Sequence, residues 1–201
     1  MLLSFQPLSP ALPPVPVRRF SVAEYHRMIE TGVLAEDEPV ELLEGWIIPK
    51  MPRDARHDAT IELTDEALSA RLPTGWRVRV QSAITTDDSE PEPDLAIVRG
   101  SPRTRTHHHP GAADIAMLVE VSGTSLLLDR RDKGRLYARA GFSCYWVINL
   151  GERQVEVFTL PVAGPEALYR DLKVYAFGDD VPIRIDGMEC GTVPVRDLIA
   201  D

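Results

Sequence analysis

Two carboxylates and one lysine stand out because each sits where its type is out of place. Asp94 closes the acidic, proline-rich stretch SEPEPD and runs directly into the apolar LAIV. Glu120 lies inside MLVEV with apolar neighbours on both sides, so its ionised form carries a desolvation penalty of several kcal/mol unless a cation or hydrogen-bond donors compensate it. Two readings fit Glu120, a buried ion pair or a strand end emerging into solvent. Asp94 by itself also fits a loop-opening acid that caps a strand. Taken together, two neighbouring strands that each bring a carboxylate to one edge of a sheet would supply oxygen ligands to Mg²⁺ or Mn²⁺, ions that keep several waters and accept phosphate oxygens.

Lys133 supplies a third element. Of the 22 basic residues only Lys50, Lys133 and Lys173 are lysine, so lysine here replaces what the composition would usually supply as arginine. A compact ammonium can hold or polarise an attacking water in a way a planar guanidinium does less well. Asp129, Lys133 and Tyr137 are spaced by four and share one face of a helix, and a plain surface ion pair between Asp129 and Lys133 is the simpler reading of that spacing.

These residues must be held by a fold, and the hydropathy pattern outlines one. S-V-A-E at 21–24 has the form of a capping box that starts a helix ending near Gly32. PVELLEGWIIPKM reads as a hairpin turning at Glu44 and Gly45. A helix follows from about 55 to 72, then the alternating WRVRVQSAI of 76–84, with Trp76, Val78 and Val80 on one face. DLAIV and IAMLVEV are nearly continuous apolar runs, as central strands covered on both faces should be. A helix over about 126–140 leads to strands at CYWVIN, QVEVFTL and LKVYAF. The order predicts one α/β domain over 21–201, a mixed central sheet flanked by helices with an antiparallel strand extension, preceded by an extended proline-rich tail over 1–20.

Composition narrows the function. With 44% hydrophobic and 26% charged residues and no apolar run long enough to span a bilayer, the chain reads as a soluble, cytoplasmic protein without a membrane partner. Five prolines interrupt the N-terminal stretch, which argues against a secretory signal. Cys144 and Cys190 form no metal spacing. A net charge of -9 disfavours broad adhesion to nucleic acid but leaves room for local basic sites. Basicity gathers in RGSPRTRTHHH, with Arg103 and Arg105, and in the helix carrying Arg130 and Arg131. Each segment reads either as solvated surface or as phosphate contacts. His107, His108 and His109 are adjacent, point apart in an extended loop and read as surface. For His57 the residues suggest no chemistry.

PEPDLAIV, LVEVS, DRRDKGRLYARAG and YWVINL, with VELLEGWI and VRVQSAI before them, resemble the Uma2 family, also called DUF820, which is grouped with the PD-(D/E)XK restriction-endonuclease-like nucleases. The resemblance implies a restriction-endonuclease-like fold and a metal-dependent endonuclease that hydrolyses phosphodiesters, with DNA as substrate. It makes Asp94 and Glu120 metal ligands and Lys133 the lysine of the site. Glu41 is similar to the family's upstream acid, with Glu44 the other candidate, and Gln81 matches a supporting polar position; Tyr137 is a supporting residue by its four-residue spacing from Lys133. Where the wider superfamily has a lysine two residues after the second acid, this chain has Ser122. Cleavage of both strands would be served by a homodimer. A catalytically inactive nucleic-acid-binding or regulatory module is the competing expectation.

Overall fold

The computed structural model describes residues 17–201 apart from Glu36 and Arg105. Most of the proline-rich tail and the Arg105 expectation therefore lie outside the described residues. Ser21 caps α1 (Val22–Glu30) as its sequence predicts: its side chain accepts from the Glu24 amide, and the Glu24 carboxylate accepts from the Ser21 amide at 2.9 Å.

The hairpin forms from β1 (Val40–Leu43) and β2 (Trp46–Pro49). Glu44 and Gly45 turn it with φ of +50° and +79°, the two positive values that a tight hairpin of right-handed twist requires. Gly45 is needed twice over, since a Cβ there would stand 2.5 Å from the Cβ of Arg19. Asp54 caps α2 (Ala55–Ser69), which ends slightly before the expected Leu72.

Six strands make the main sheet: β3 (Trp76–Val80), β4 (Leu95–Arg99), β5 (Ile115–Ser122), β6 (Cys144–Asn149), β7 (Gln154–Val162) and β8 (Leu168–Ala176), paired in that spatial order. Only β5 and β6 run parallel. Parallel neighbours need a crossover, and here a π-helical turn, Leu128–Lys133, continues into α3 (Gly134–Arg139). Every residue of β5 is buried, as its unbroken apolar run predicts for a strand covered on both faces. On one face Trp146 and Ile148 pack with Ile61 and Leu68 of α2; on the other, Leu118 and Tyr145 pack with Leu136 and Tyr137 of α3. The architecture is thus the expected mixed α/β sheet flanked by helices, with antiparallel strands extending it.

Two local expectations need correction, and one element is new. The strand from Trp76 ends at Val80 rather than Ile84, because Gln81 takes φ +45° and turns the chain. The helix over 126–140 is π-helical in its first part: Tyr145 Oη donates to the Asp129 carbonyl at 3.1 Å, and Gly134 lets that carbonyl approach, a Cβ there standing 3.4 Å from it. A further hairpin, β9 (Asp180–Ile185) with β10 (Met188–Pro194), escaped the sequence reading; it contributes Val181, Ile183 and Val193 to the α2-side core. Among the described residues no helix is long and apolar enough to cross a membrane.

Candidate active site

The β4 and β5 strands pair so that Leu95 stands beside Val119. Asp94 therefore arrives one residue outside β4, next to the end of β5 that carries Glu120. Its Oδ2 accepts from the Val121 amide at 2.8 Å, and Nε2 of His57, on α2, lies 3.3 Å from the same oxygen. Both Asp94 and Glu120 are buried. The sharp turn at Gln81 has its own tie to the acid, since the Gln81 amide donates to the Asp94 carbonyl at 2.9 Å.

Glu120 is held from α3 and the turn before it. Its Oε1 accepts from Lys133 Nζ at 3.0 Å and from Tyr137 Oη at 2.7 Å. Lys133 Nζ also lies 3.5 Å from Oε1 of Glu41 on the β1–β2 hairpin, and the other Glu41 oxygen accepts from the Glu92 amide at 3.1 Å. One ammonium thus sits between two carboxylates brought by separate pieces of the fold. The simple helix-surface pair of Asp129 with Lys133 does not form: both are buried, and Asp129 Oδ2 accepts from the hydroxyls of Ser122 and Ser125, each at 2.6 Å. The π-helical turn separates the two, sending Lys133 to Glu120 and Asp129 to the serines.

Charge is unevenly distributed in this pocket. Burial pushes the Glu120 carboxyl well above its ordinary pKa; Lys133 opposes this, while Asp94, Asp129 and Glu41 push it further up. Asp129 is raised by burial too, against the pull of Lys133 and its two serines. For Lys133 burial alone would lower the pKa, yet Glu120, Glu41 and Asp129 outweigh it, so the group is raised and stays an ammonium. Burial would likewise lower His57, and the hydrogen bond and charge of Asp94 turn the shift upward. Among the described residues the buried His57 Nδ1 has no hydrogen-bond partner, its nearest carboxylate being Asp58 at 3.7 Å.

These groups open onto one cleft of about 780 Å³, lined by Glu41, Gln81, Asp94, Glu120 and Lys133 together with His57, Asp129, Lys50 and Arg53. Tyr137 stands behind it, fully buried. Among the described residues no three His, Cys, Asp or Glu side chains form a ready-made metal cage. The donor set nevertheless fits a hard divalent ion. Carboxylates crowd around Glu120 with a single ammonium to offset them, and the hydrogen bonds at Glu120 Oε1 and Asp94 Oδ2 leave each carboxylate its second oxygen. Mg²⁺ needs only one or two such ligands beside waters and a phosphate.

Of the residues expected to touch nucleic acid, the described ones, Arg103, Arg130 and Arg131, do not line this cleft. Arg103 is exposed outside the cleft. Arg130 forks onto Glu156 and Arg131 onto Asp132, and the other arginines of this segment are also engaged, Arg135 with Glu44 and Arg139 with Glu44 and Asp88. His57 is the site residue for which sequence offered no chemistry, because its partner Asp94 is reached only through the packing of α2 on the sheet.

The mixed sheet brings Asp94 and Glu120 together from adjacent central strands, and the π-helical turn supplies Lys133 beside Glu120. The Uma2 family, described as "Putative restriction endonuclease", matches residues 22–188. The chain belongs to this family. Among solved structures it is similar to a "putative nuclease belonging to DUF820" from Anabaena variabilis, with a TM-score of 0.64 and 20% identity over 85% of this chain and 96% of that one. At that identity the likeness speaks for the fold. No curated protein matches the chain.

Proposed function

We propose that the cleft hydrolyses phosphodiester bonds in DNA, with Mg²⁺ or Mn²⁺ held by Asp94 and Glu120. The observation that carries this reading is the buried Lys133 ammonium, bracketed by Glu41 and Glu120 in a cleft it shares with Asp94. Bound there, the ion would act as a Lewis acid toward a phosphate oxygen and lower the pKa of a coordinated water. Lys133 keeps its proton and offers a fixed positive charge to the negative charge that grows on the phosphoryl oxygens, or orients the attacking water. Glu41 steadies that ammonium from the hairpin side. Tyr137 orients Glu120, and His57 with the Val121 amide orients Asp94. Exposed Arg103 is free to meet the backbone of a duplex, and Arg105 is proposed to do the same; Arg130 and Arg131 would have to exchange their carboxylate partners for phosphate.

Incubating the purified protein with plasmid and oligonucleotide DNA in Mg²⁺ or Mn²⁺, with EDTA and Asp94→Ala as controls, tests the proposal. Metal-dependent strand scission lost in Asp94→Ala is expected, and scission unchanged by that substitution overturns it. The engagement of every arginine of the basic helix with a carboxylate favours a second reading, a module that keeps the fold and binds without turnover. Calorimetric binding of DNA and metal with no product under any condition would select it.

A further inference from the structure

The two edges of the main sheet are built differently. β3 is short, carries Arg77 and Arg79, and is turned away by the bend at Gln81. β8 has nine residues, bonds only to β7 among the described strands and contains no proline. About half of Leu168, Leu172 and Val174 is exposed along it, with Leu160 63% exposed on the neighbouring strand. A long, open edge with apolar side chains is a template for another strand, and natural proteins either guard it or use it.

We propose that β8 pairs antiparallel with β8 of a second copy of this chain, centred on Leu172, joining two six-stranded sheets into one. The charges on the strand select that register. In a two-fold antiparallel pair, a residue at the centre faces itself and its neighbours face one another's counterparts. A centre at Arg170, Asp171 or Lys173 would set like charges face to face, which is destabilising. A centre at Val174 leaves Asp171 and Lys173 without each other. A centre at Leu172 puts Leu172 against Leu172 and forms two Asp171 to Lys173 pairs, while overlapping the full strand. Within one chain, Asp171 has only the Thr159 hydroxyl described as a partner, at 3.1 Å.

This pairing leaves the cleft open, because no residue that lines the cleft lies on β8. The two β5 strands would stand seven strand spacings apart, about 34 Å. Dimerisation and hydrolysis can therefore be tested separately.

Light scattering coupled to size exclusion, with sedimentation velocity at micromolar concentration, reads the outcome. The wild-type chain should run at twice its monomer mass. Lys173→Asp sets two acid pairs face to face and should weaken association at least about tenfold, with circular dichroism unchanged. The exchanged double variant Asp171→Lys/Lys173→Asp restores opposite charges in the same register and should return the dimer. A monomeric wild type overturns the proposal and leaves the edge to a strand from another protein. A Lys173→Asp dimer as tight as the wild type, or a double variant that stays monomeric, overturns it as well.

Discussion

Glu120 and Glu156 lie in one cross-strand row, each opposite Val147 from its own side, and each takes a cation from the same π-helical turn. Their fates differ. For Glu156 burial pushes the pKa up, but the Arg130 fork and the amides of Gln154 and Asn149 more than reverse it, and the group ends below its ordinary value. For Glu120 burial wins, since one lysine and one tyrosine must answer for a carboxylate hemmed in by Asp94, Asp129 and Glu41. Over a separation of about 10 Å the same turn thus makes one settled ion pair and one that carries surplus negative charge. On the proposed reading, that crowding of acids is what a divalent ion would relieve.

The contrast can be broken most severely at Glu120 itself. Glu120→Gln is expected to abolish metal-dependent DNA cleavage while the chain stays folded, because the amide oxygen can still accept from Lys133 and Tyr137 and Glu41 still faces the ammonium. Nicking assays and calorimetry on one preparation would check it; a large loss of stability would show that Glu120 is as structural as Glu156. Next in size, Lys133→Met should slow cleavage by about 10²–10⁴-fold, and Lys133→Arg should recover little of it, because the planar fork does not fit between Glu41 and Glu120. Single-turnover rates measure both.

Glu156→Gln should do the opposite of Glu120→Gln. It should lower stability by about 1.5–3 kcal/mol, the range for hydrogen bonds to charged groups, and leave cleavage near the wild-type rate; denaturant titration and the same nicking assay separate the two. The smallest effect is on pH dependence. Because the Glu156 pKa is depressed on folding, its contribution is fully present above its unfolded pKa near 4.5 and is lost as the pH falls through the lower folded value. Wild-type stability should therefore fall more steeply below pH 4.5 than that of Glu156→Gln, as thermal melts across that window would show.

Much of this could be read from sequence where the signal was local. The isolation of Glu120 in an apolar strand announced a buried charge, Ser21 and Glu24 announced a helix start, and Glu44 and Gly45 announced a turn. What escaped depends on distance along the chain. The partners of Arg130, Arg135 and Arg139 come from β7, from the hairpin turn and from the loop at Asp88, so a basic helix looked free in sequence and is neutralised in the fold. The π-helical turn escaped because four-residue spacing puts Asp129, Lys133 and Tyr137 on one face only if every turn is α-helical. The last hairpin escaped because Pro182 and the register shift near Gly191 blur its alternation.

Among the described residues the β1–β2 hairpin that carries Glu41 forms a two-stranded sheet of its own with a single bridge from Leu42 to Glu90, and its turn residue Glu44 is clasped by Arg135 and Arg139. The cleft is therefore a junction of parts with unequal resistance to opening: a strand deep in the sheet, a helix laid across it and a small two-stranded flap anchored by buried Leu42 and Leu43 and by backbone bonds to Asp88 and Glu90, with a charged button at its turn. Competence at this junction would vanish when the flap comes loose, well before the sheet itself melts. Raised salt would loosen the button at Glu44 alone, whereas shortening Leu43 would loosen the anchor and impair the cleft while leaving the main sheet standing.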